Sequence, residues 1–357
     1  MPTTGGRDIE TLIADYEIYA GGSRIPPELH VVVSAIDVDL DAETMGMFSL
    51  VLHASERDQE RFVVIDSDQF KPGSEIKIKM GYGSTLDTMI VGEITGLSPE
   101  YSDNGAVVFR VSGYDRLYRL GFGRKIRSFR NMKDSDIAAQ IAQDWHLTPQ
   151  VDATDVTHDY VLQNNQTDRE FLAERARRLR YELRVEDRTL FFQKAKEDGS
   201  AVATLIYGET LVDFFPRLST VNQTSKVEVR GWSVKDKEAV SGEAGTSDTI
   251  STMAGQKTGG KISEEIAGQS TRIQSGENAP TKDEAEEIAR AVLNQAVTEF
   301  ITGEGRCIGN PDIKAGSVVE LKGLGERFSG LYYVVSCNHS IGSRGYHTSF
   351  TARRSAV

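Results

Sequence analysis

The sequence predicts a mainly β protein with an α+β insert, in which two related antiparallel β-barrel domains flank a small α/β domain. Three observations predict this fold class. One segment occurs twice, as residues 70–79 and again 243 residues later as residues 313–322. Stretches of alternating apolar and polar residues, bounded by glycine and proline turns, fill both ends of the chain. The middle of the chain has helical periodicity that follows capping residues.

The repeated segment has the frame apolar-Lys-x-Gly-Ser-x-aliphatic-x-aliphatic-Lys. Beyond it, Gly92–Ser98 falls beside Gly330–Ser336, and a weaker match follows. Each copy predicts short strands separated by glycine turns, as in a small barrel or sandwich. A chance match is the alternative, because Gly-Ser turns before alternating strands are common. We expect four glycines to be structural turn positions that fix where each strand pair begins, and not a binding site: Gly73, Gly92, Gly316 and Gly330.

Length and composition indicate an ordinary globular protein of several domains. The chain has 357 residues, of which 39% are hydrophobic and 26% are charged, and a single core rarely grows to that size. Apolar runs stay well short of the ~18 residues of a membrane span, and Met1–Glu10 lacks the features of a signal peptide. We therefore expect synthesis in the cytoplasm and no membrane insertion. The net charge of −12 argues against specific nucleic-acid binding, which needs a concentrated basic face.

The first β-barrel domain is predicted over residues 1–122. Period-two alternation is clear in Leu29-x-Val31-x-Val33 and in Ile76-x-Ile78-x-Met80. The pattern breaks at Gly121 and Gly123. The α/β insert is predicted to follow over residues 123–205.

Within the insert, we expect one helix with Asn131 as its N-cap and a second helix at the capping box Thr167–Glu170. Tyr181–Val185 and Thr189–Phe192 then predict a hairpin. The second β-barrel domain is predicted over residues 206–357. Inside it, residues 235–281 are rich in Gly, Ser, Thr and charge and lack aromatic residues, which is typical of a mobile loop. A helix is expected at 282–301, after a capping box at Thr281.

Several segments, taken in their order along the chain, resemble the late control gene D proteins of phages. The parts that carry the resemblance are Phe70–Tyr82, Gly92–Thr95, Gly113–Leu117, the helix that begins near Asp136 and ends in His146-Leu147, Gln163–Asp168 leading into Phe171-Leu172, and Gly330–Arg353. These proteins are baseplate hubs of contractile tails. They are similar to the N-terminal part of type VI secretion spike proteins (VgrG) and to the hubs of extracellular contractile injection systems.

The resemblance implies a homotrimer whose six barrels face a hexameric tail tube protein, while its true threefold axis receives a central spike. The repeat suggests the same arrangement, since three chains with two copies each can place six similar modules around one axis. The chain ends at Val357 after the last predicted strand, so we expect a separate spike protein. Other baseplate proteins are further expected partners. The expected location is a virion tail or contractile particle assembled in the host bacterial cytoplasm.

The residue types of metal and catalytic sites occur, but in the wrong spacing. Cys307, Cys337, His339 and His347 suit zinc, yet they lack a standard ligand spacing. The acid pairs Asp66 with Asp68 and Asp134 with Asp136 lie beside turns or helix starts, where Asp is common. Nucleophile-elbow and phosphate-loop motifs are missing from the sequence. We therefore expect no catalytic residue, metal or cofactor, and no enzyme. The two cysteines could form a bridge, but reduced thiols in the core are favoured for a cytoplasmic protein.

The densest basic run of the chain lies in the second helix of the insert, at Arg175, Arg177, Arg178 and Arg180. It could meet an acidic partner or phosphate. The favoured interpretation is a solvated face with local ion pairs to Glu170, Glu174 and Glu182.

The sequence thus predicts a structural baseplate hub. One alternative is a cell-wall-degrading or carbohydrate-binding module of a tail tip, which would require a cleft with a perturbed carboxylate pair. A monomeric binding domain is the other.

Overall fold

The computed structural model describes residues 3–4, 7–8, 13–54, 64–103, 107–275 and 279–357. Antiparallel strands dominate at both ends of the chain and the helices concentrate between them. The predicted mainly β fold with an α+β insert is confirmed. Among the described helices, none is long and apolar enough to cross a membrane.

The N-terminal β unit forms one half of a large sheet, with the strand order β4-β3-β7-β8-β9-β6-β5. Before it, β1 (Thr3–Thr4) and β2 (Arg7–Asp8) pair with each other in a separate two-stranded sheet. The elements of the unit are β3 (Ala14–Ala20), β4 (Ser23–Arg24), α1 (Pro27–Val32), β5 (Val33–Asp41), β6 (Met47–Ala54), β7 (Glu75–Tyr82), β8 (Thr85–Tyr101) and β9 (Val107–Asp115). Ile76, Ile78 and Met80 alternate into its core as predicted. The predicted strand at Leu29 is wrong. Pro27 at the first helical position instead starts α1, because its fixed φ suits a helix start.

The middle unit is a small α/β domain. After a 3-10 helix at Arg116–Gly121 it comprises β10 (Lys125–Phe129), β11 (Met132–Lys133), α2 (Asp134–Asp144), β12 (Thr148–Val151), β13 (Thr157–His158), β14 (Val161–Gln166), α3 (Asp168–Leu179), β15 (Tyr181–Glu186) and β16 (Thr189–Lys194). The predicted hairpin is β15–β16, and β12 joins it in parallel.

The two helix starts of the middle unit differ in how well the sequence predicts them. At α3, the Thr167 hydroxyl accepts the Glu170 N–H at 3.1 Å and the Glu170 carboxylate accepts the Thr167 N–H at 3.0 Å, so that capping box is confirmed. Asn131 does not cap α2, which begins three residues later. Its backbone is left-handed (φ 51°), and its N–H donates to the Asp159 carbonyl.

The C-terminal part contains a second β unit and a smaller inserted unit. Its elements are β17 (Ala201–Ile206), β18 (Leu211–Leu218), β19 (Lys226–Ser233), β20 (Glu238–Gly245), α4 (Gly259–Ala267), β21 (Thr271–Ser275), α5 (Lys282–Thr298), β22 (Ile301–Ile308), β23 (Val318–Lys322), α6 (Gly325–Phe328), β24 (Gly330–Gly342) and β25 (Gly345–Arg354).

The interpretation of residues 235–281 as a mobile loop is wrong. They supply β20, α4 and β21, and the sheet β20-β19-β21 is covered by α5. A side chain at Gly242 would clash with the backbone of Ala285 and Glu286 in α5, so sheet and helix approach at backbone distance. Small residues therefore build this core without aromatic side chains.

One backbone pairing joins the two β units into a single sheet. β5 pairs with β24 antiparallel, from Ile36 opposite Ile341 to Asp41 opposite Ser336. The sheet then continues through β25 and β22 to β18. We call the β5–β24 pairing the seam. Across it, the Asn338 amide donates to Asp39 at 2.9 Å.

A buried charge network joins the middle unit to α5. His158 lies 2.9 Å from Asp134 and 3.0 Å from Glu284. Arg175 pairs with Asp134, and Arg178 pairs with Glu284. Burial alone would lower the pKa of His158, but the hydrogen bonds to both carboxylates raise it to about 9.

The expected local ion pairs of the arginine run are therefore wrong. Arg175, Arg178 and Arg180 pair with Asp134, Glu284 and Glu197, which come from distant parts of the chain. Glu170 pairs instead with Arg124. Helical spacing shows which residues could meet locally, but packing against neighbouring units decides which do.

The hydrogen bond across the seam predicts that exchanging its two side chains restores the stability that a single substitution removes. Asn338→Asp places a carboxylate opposite Asp39, so we expect a loss of about 1–2 kcal/mol in the free energy of unfolding. The double variant Asp39→Asn with Asn338→Asp restores one amide and one carboxylate, and it should recover most of that loss. Urea unfolding of the four proteins measures the coupling. Additive effects would contradict the seam hydrogen bond.

The His158 network predicts a stability that depends on pH. The folded pKa of about 9 lies above the ordinary 6.5, so the stabilisation is complete below pH 6.5 and is lost as pH rises through 9. The advantage of the wild type over His158→Gln should be of the order of 2 kcal/mol at pH 6 and should shrink by pH 9.5. Urea unfolding at both pH values tests this, with the exposed His53→Gln as control. An advantage that is the same at both pH values would refute the assignment.

Candidate functional site

The two repeated segments form the same turn. The Gly73 N–H donates to the Ile94 carbonyl at 2.8 Å, and the Ile94 N–H donates to Ser74 at 3.0 Å. In the second copy Gly316 and Ser317 make the equivalent bonds to Val334, both at 2.8 Å. Both glycines have φ 85°, a left-handed conformation that glycine adopts without strain.

The strands that follow also match. In the N-terminal unit the register of β8 against β9 shifts between Ile94 and Gly96. In the C-terminal unit β24 shifts against β25 between Val334 and Ser336. Each unit therefore contains a Lys-x-Gly-Ser turn, a strand that is bulged against the third strand at the same place, and that third strand. We call this the doubled module.

The other two glycines do not occupy equivalent positions. Gly330 begins β24 with φ 138°. Gly92 lies inside β8, where a side chain would clash with the Tyr114 carbonyl, so its assignment to a turn is wrong. Because Ile94 corresponds to Val334, the counterpart of Gly92 is Tyr332. The sequence alignment of Gly92 with Gly330 is therefore out of register by two residues. Side chains alternate between the two faces of a strand, so a slip of two residues leaves each side chain on the same face.

The second copy of the module is fastened to the first beside the seam. The Tyr82 hydroxyl donates to the Gly309 carbonyl at 2.9 Å, and its ring lies 5.7 Å from that of Tyr346. The Lys314 ammonium of the repeated turn donates to the Thr88 carbonyl at 3.1 Å. These contacts fix the relative orientation of the two β units.

Two rows of directly opposed side chains cross five strands of the shared sheet. One row consists of Asp39, Asn338, Ser349, Arg306 and Asp213, and the other of Asp41, Ser336, Thr351, Glu304 and Phe215. Together they line an open cavity with a volume of about 690 Å³. We call the surface formed by these two rows the polar ladder. Four carboxylates face one guanidinium there, and Arg306 is already paired with Asp213 at 2.5 Å. The polar ladder therefore suits a protein partner with basic or polar side chains and disfavours a polyanion.

Sequence reasoning missed the polar ladder, although part of its signal was visible. Asp37, Asp39 and Asp41 alternate with apolar residues in β5, which is typical of a strand with one polar face. What the sequence did not show is that β5 and β24 are neighbours.

A second exposed surface lies on the middle unit. β10 and β14 pair with each other and, among the described strands, with no other. Ile126 and Leu162 on their outer face are 75% and 44% exposed. Exposed apolar side chains on an open strand pair are typical of contacts with other proteins.

Three of the four residues considered for zinc, Cys307, Cys337 and His339, are buried in the C-terminal β unit. His339 is buried, with Nε2 donating to the Ile313 carbonyl at 2.8 Å and Nδ1 accepting from the Tyr346 hydroxyl at 2.8 Å. Burial lowers the pKa of His339 to about 4. Cys307 and Cys337 are free and buried, and burial raises the pKa of the Cys337 thiol to about 12. Within the described ranges, groups of three potential metal-ligating side chains are not found.

The two carboxyl groups whose pKa values are raised to about 7, Asp115 and Glu182, are separated. Burial raises the pKa of Asp115 to about 7, although its carboxylate accepts backbone N–H groups of Gly46 and Leu117. Burial also raises the pKa of Glu182 to about 7. The two line different cavities and so do not form the carboxylate pair of a glycosidase. Of the acid pairs noted in the sequence, Asp134 belongs to the His158 network, and Asp68 forms an ion pair with Lys71.

The fold is one that occurs in phage tail proteins. A 43 kDa tail protein of prophage MuSo2 from Shewanella oneidensis is similar, with 16% identity, a TM-score of 0.72 and coverage of 96% of this chain and 98% of that protein. A tail protein from Neisseria meningitidis has 14% identity, a TM-score of 0.69 and 96% coverage of both chains.

A third similar structure is an Escherichia coli component of the type VI secretion system, which is described as similar to the bacteriophage T4 tail proteins gp27 and gp5. It has 12% identity and a TM-score of 0.59, and the match covers 90% of this chain and 73% of that one. No curated protein matches the chain.

The family comparison covers almost the whole sequence. The model of the Alg8 N-terminal domain matches residues 10–343, a span that includes the first copy of the doubled module, the middle unit, the inserted unit and the second copy up to β24. The more specific resemblance to late control gene D proteins stays a prediction. The chain belongs to the Alg8 N-terminal domain family.

Proposed function

We propose that this chain is a structural hub of a contractile tail, in which three copies present six similar modules to a hexameric tail tube. The observation that carries the proposal is the doubled module. Both turns make the same pair of backbone hydrogen bonds, and both following strands are bulged at the same place. A chain with two such modules allows a trimer to offer six similar surfaces, since oligomers assemble by closed symmetry.

The seam supports this role physically. Two modules can imitate neighbouring subunits of a hexamer only if the angle between them is fixed. A continuous sheet fixes that angle through backbone hydrogen bonds, and the Tyr82 and Lys314 contacts reinforce it. The tail and type VI secretion proteins that share the fold are consistent with a tail role.

The sixfold arrangement of the modules and the threefold axis of the trimer would each have their own partner. The tail tube protein would contact the six modules, and a separate spike protein would lie on the threefold axis, with baseplate proteins around the outside. The polar ladder and the outer face of β10–β14 are the surfaces offered to these partners and to neighbouring copies of the chain. The particle would be a virion tail or a related contractile machine, assembled in the host cytoplasm.

Assembly stoichiometry tests the proposal. We expect the chain, when co-produced with the tube and spike proteins of its particle, to form a complex with three hub copies per six tube copies and three spike copies. Light scattering coupled to gel filtration gives the mass of each complex, and the hub contributes three times its 39.3 kDa. A chain that stays monomeric in the presence of both partners would refute the hub.

The seam variants separate the assembly role from simple stability. Asn338→Asp replaces the seam hydrogen bond with two facing carboxylates and adds a negative charge to the polar ladder, so we expect binding to the tube to weaken at least about tenfold, while the variant remains folded by circular dichroism. The exchange variant Asp39→Asn with Asn338→Asp should restore tube binding. Arg344→Gln, which changes one exposed residue of the β24–β25 turn, is the control. Equal tube binding by wild type and Asn338→Asp would contradict a role for the seam.

A further inference from the structure

A cavity of about 300 Å³ lies where the middle unit, the inserted unit and the C-terminal β unit meet. Arginines reach it from three different elements: Arg177 and Arg180 from the end of α3, Arg272 from β21 and Arg353 from β25. Glu43 and Glu182 also line it. The cavity is therefore rich in guanidinium groups in a chain whose net charge is −12.

The two inner arginines are buried with too little negative charge. Arg180 and Arg353 are each 8% exposed at the side chain, and both pair with the same oxygen of Glu197. Arg353 has a second, longer contact of 3.8 Å with Glu43, which is more than half exposed. Two guanidinium groups thus share one buried carboxylate. A buried charge without a full partner is destabilising, so this arrangement favours an additional anion.

The hydrogen-bonding groups of the same residues are incomplete. The Nε atoms of Arg180 and Arg353, and one carboxylate oxygen each of Glu182 and Glu197, are buried and have no hydrogen-bond partner among the described residues. Buried donors in native proteins are nearly always satisfied. Glu182 offers limited compensation, because burial raises its pKa to about 7 and keeps part of the carboxyl population neutral at that pH. An anion in the cavity adds negative charge beside these guanidinium groups, which offsets part of the cost of burying them.

The two outer arginines are available. Arg177 and Arg272 are exposed, and neither makes an ion pair or a side-chain hydrogen bond to another described residue. They lie on different units, α3 and β21, on the lining of the same cavity. An arginine fork binds carboxylate and phosphate groups through two parallel N–H donors, so these side chains can bind an anion from two sides.

We propose that this cavity binds a small multivalent oxyanion, held by Arg177 and Arg272 at its rim and by Arg180 and Arg353 further inside. The shared chemistry is a compact group with several anionic oxygens, which phosphate and polycarboxylate compounds both supply. Such a ligand bridges α3, β21 and β25 and therefore locks three units of the chain together. The site does not depend on the tail role.

Two probes test the site and distinguish its ligand class. Inorganic phosphate and citrate are titrated into the protein by calorimetry, and thermal unfolding is followed with each anion against sodium chloride of equal ionic strength. We expect saturable binding of at least one probe, with a rise in Tm of about 2–4 °C near saturation. Binding of phosphate alone indicates a phosphate compound, and binding of citrate alone indicates a polycarboxylate.

Paired variants locate the binding. Arg177→Gln with Arg272→Gln removes two exposed guanidinium groups without touching a described ion pair, and it should weaken binding at least about tenfold. Arg217→Gln with Arg344→Gln removes the same charge at exposed positions outside the cavity and should bind as the wild type does. The proposal is wrong if neither probe binds beyond the chloride control, or if both double variants bind equally.

Discussion

The pairing of β5 with β24 is the constraint on which the rest of the structure depends. Each β unit brings an edge strand to this seam, and an unpaired edge exposes backbone donors and acceptors that invite contacts with other chains. Pairing the two edge strands satisfies the backbone donors and acceptors of both within one molecule. It also joins the two modules into one sheet. Because the hydrogen bonds of a ladder fix register and direction together, the seam also sets how one module is oriented relative to the other. The Tyr82 and Lys314 contacts then hold the repeated turn of the second unit against the first.

The arginines of α3 connect different units of the chain through ion pairs rather than through backbone pairing. Arg175 and Arg178 reach carboxylates that also contact His158, and Arg180 reaches Glu197 near the C-terminal strand. Buried ion pairs of this kind contribute little net stability, because desolvation offsets most of the attraction, but breaking one partner is strongly unfavourable. They therefore specify which surfaces meet more than they increase the free energy of unfolding. One helix thus orients the inserted unit and the C-terminal strands around the middle unit.

The sequence predicts the local features of this chain well and the distant pairings poorly. The Thr167 capping box and the β15–β16 hairpin depend on neighbouring residues, and the turns at Gly73 and Gly316 depend on a short motif, so their patterns are visible in one dimension. The seam joins residues about 300 positions apart and leaves no local pattern. The two-residue slip at Gly92 was invisible because a strand repeats every two residues. Residues 235–281 were misread because small residues that let a sheet and a helix approach closely have the composition of a loop. The partners of the arginine run were misread for a related reason, since helical spacing says nothing about the units packed beside it.

The polar ladder shows how the seam creates a surface that neither module has alone. Its rows run from β5 of the first unit through β24, β25 and β22 to β18 of the second. Adjacent strands twist by about 20–25°, so the direction of the strands changes by roughly 80–100° across these five. The two rows line a cavity, and a partner seated in it contacts both modules at once. Any change in the angle between the modules must then change the shape of that surface. The same backbone pairing that satisfies two strand edges therefore determines which partner fits the sheet.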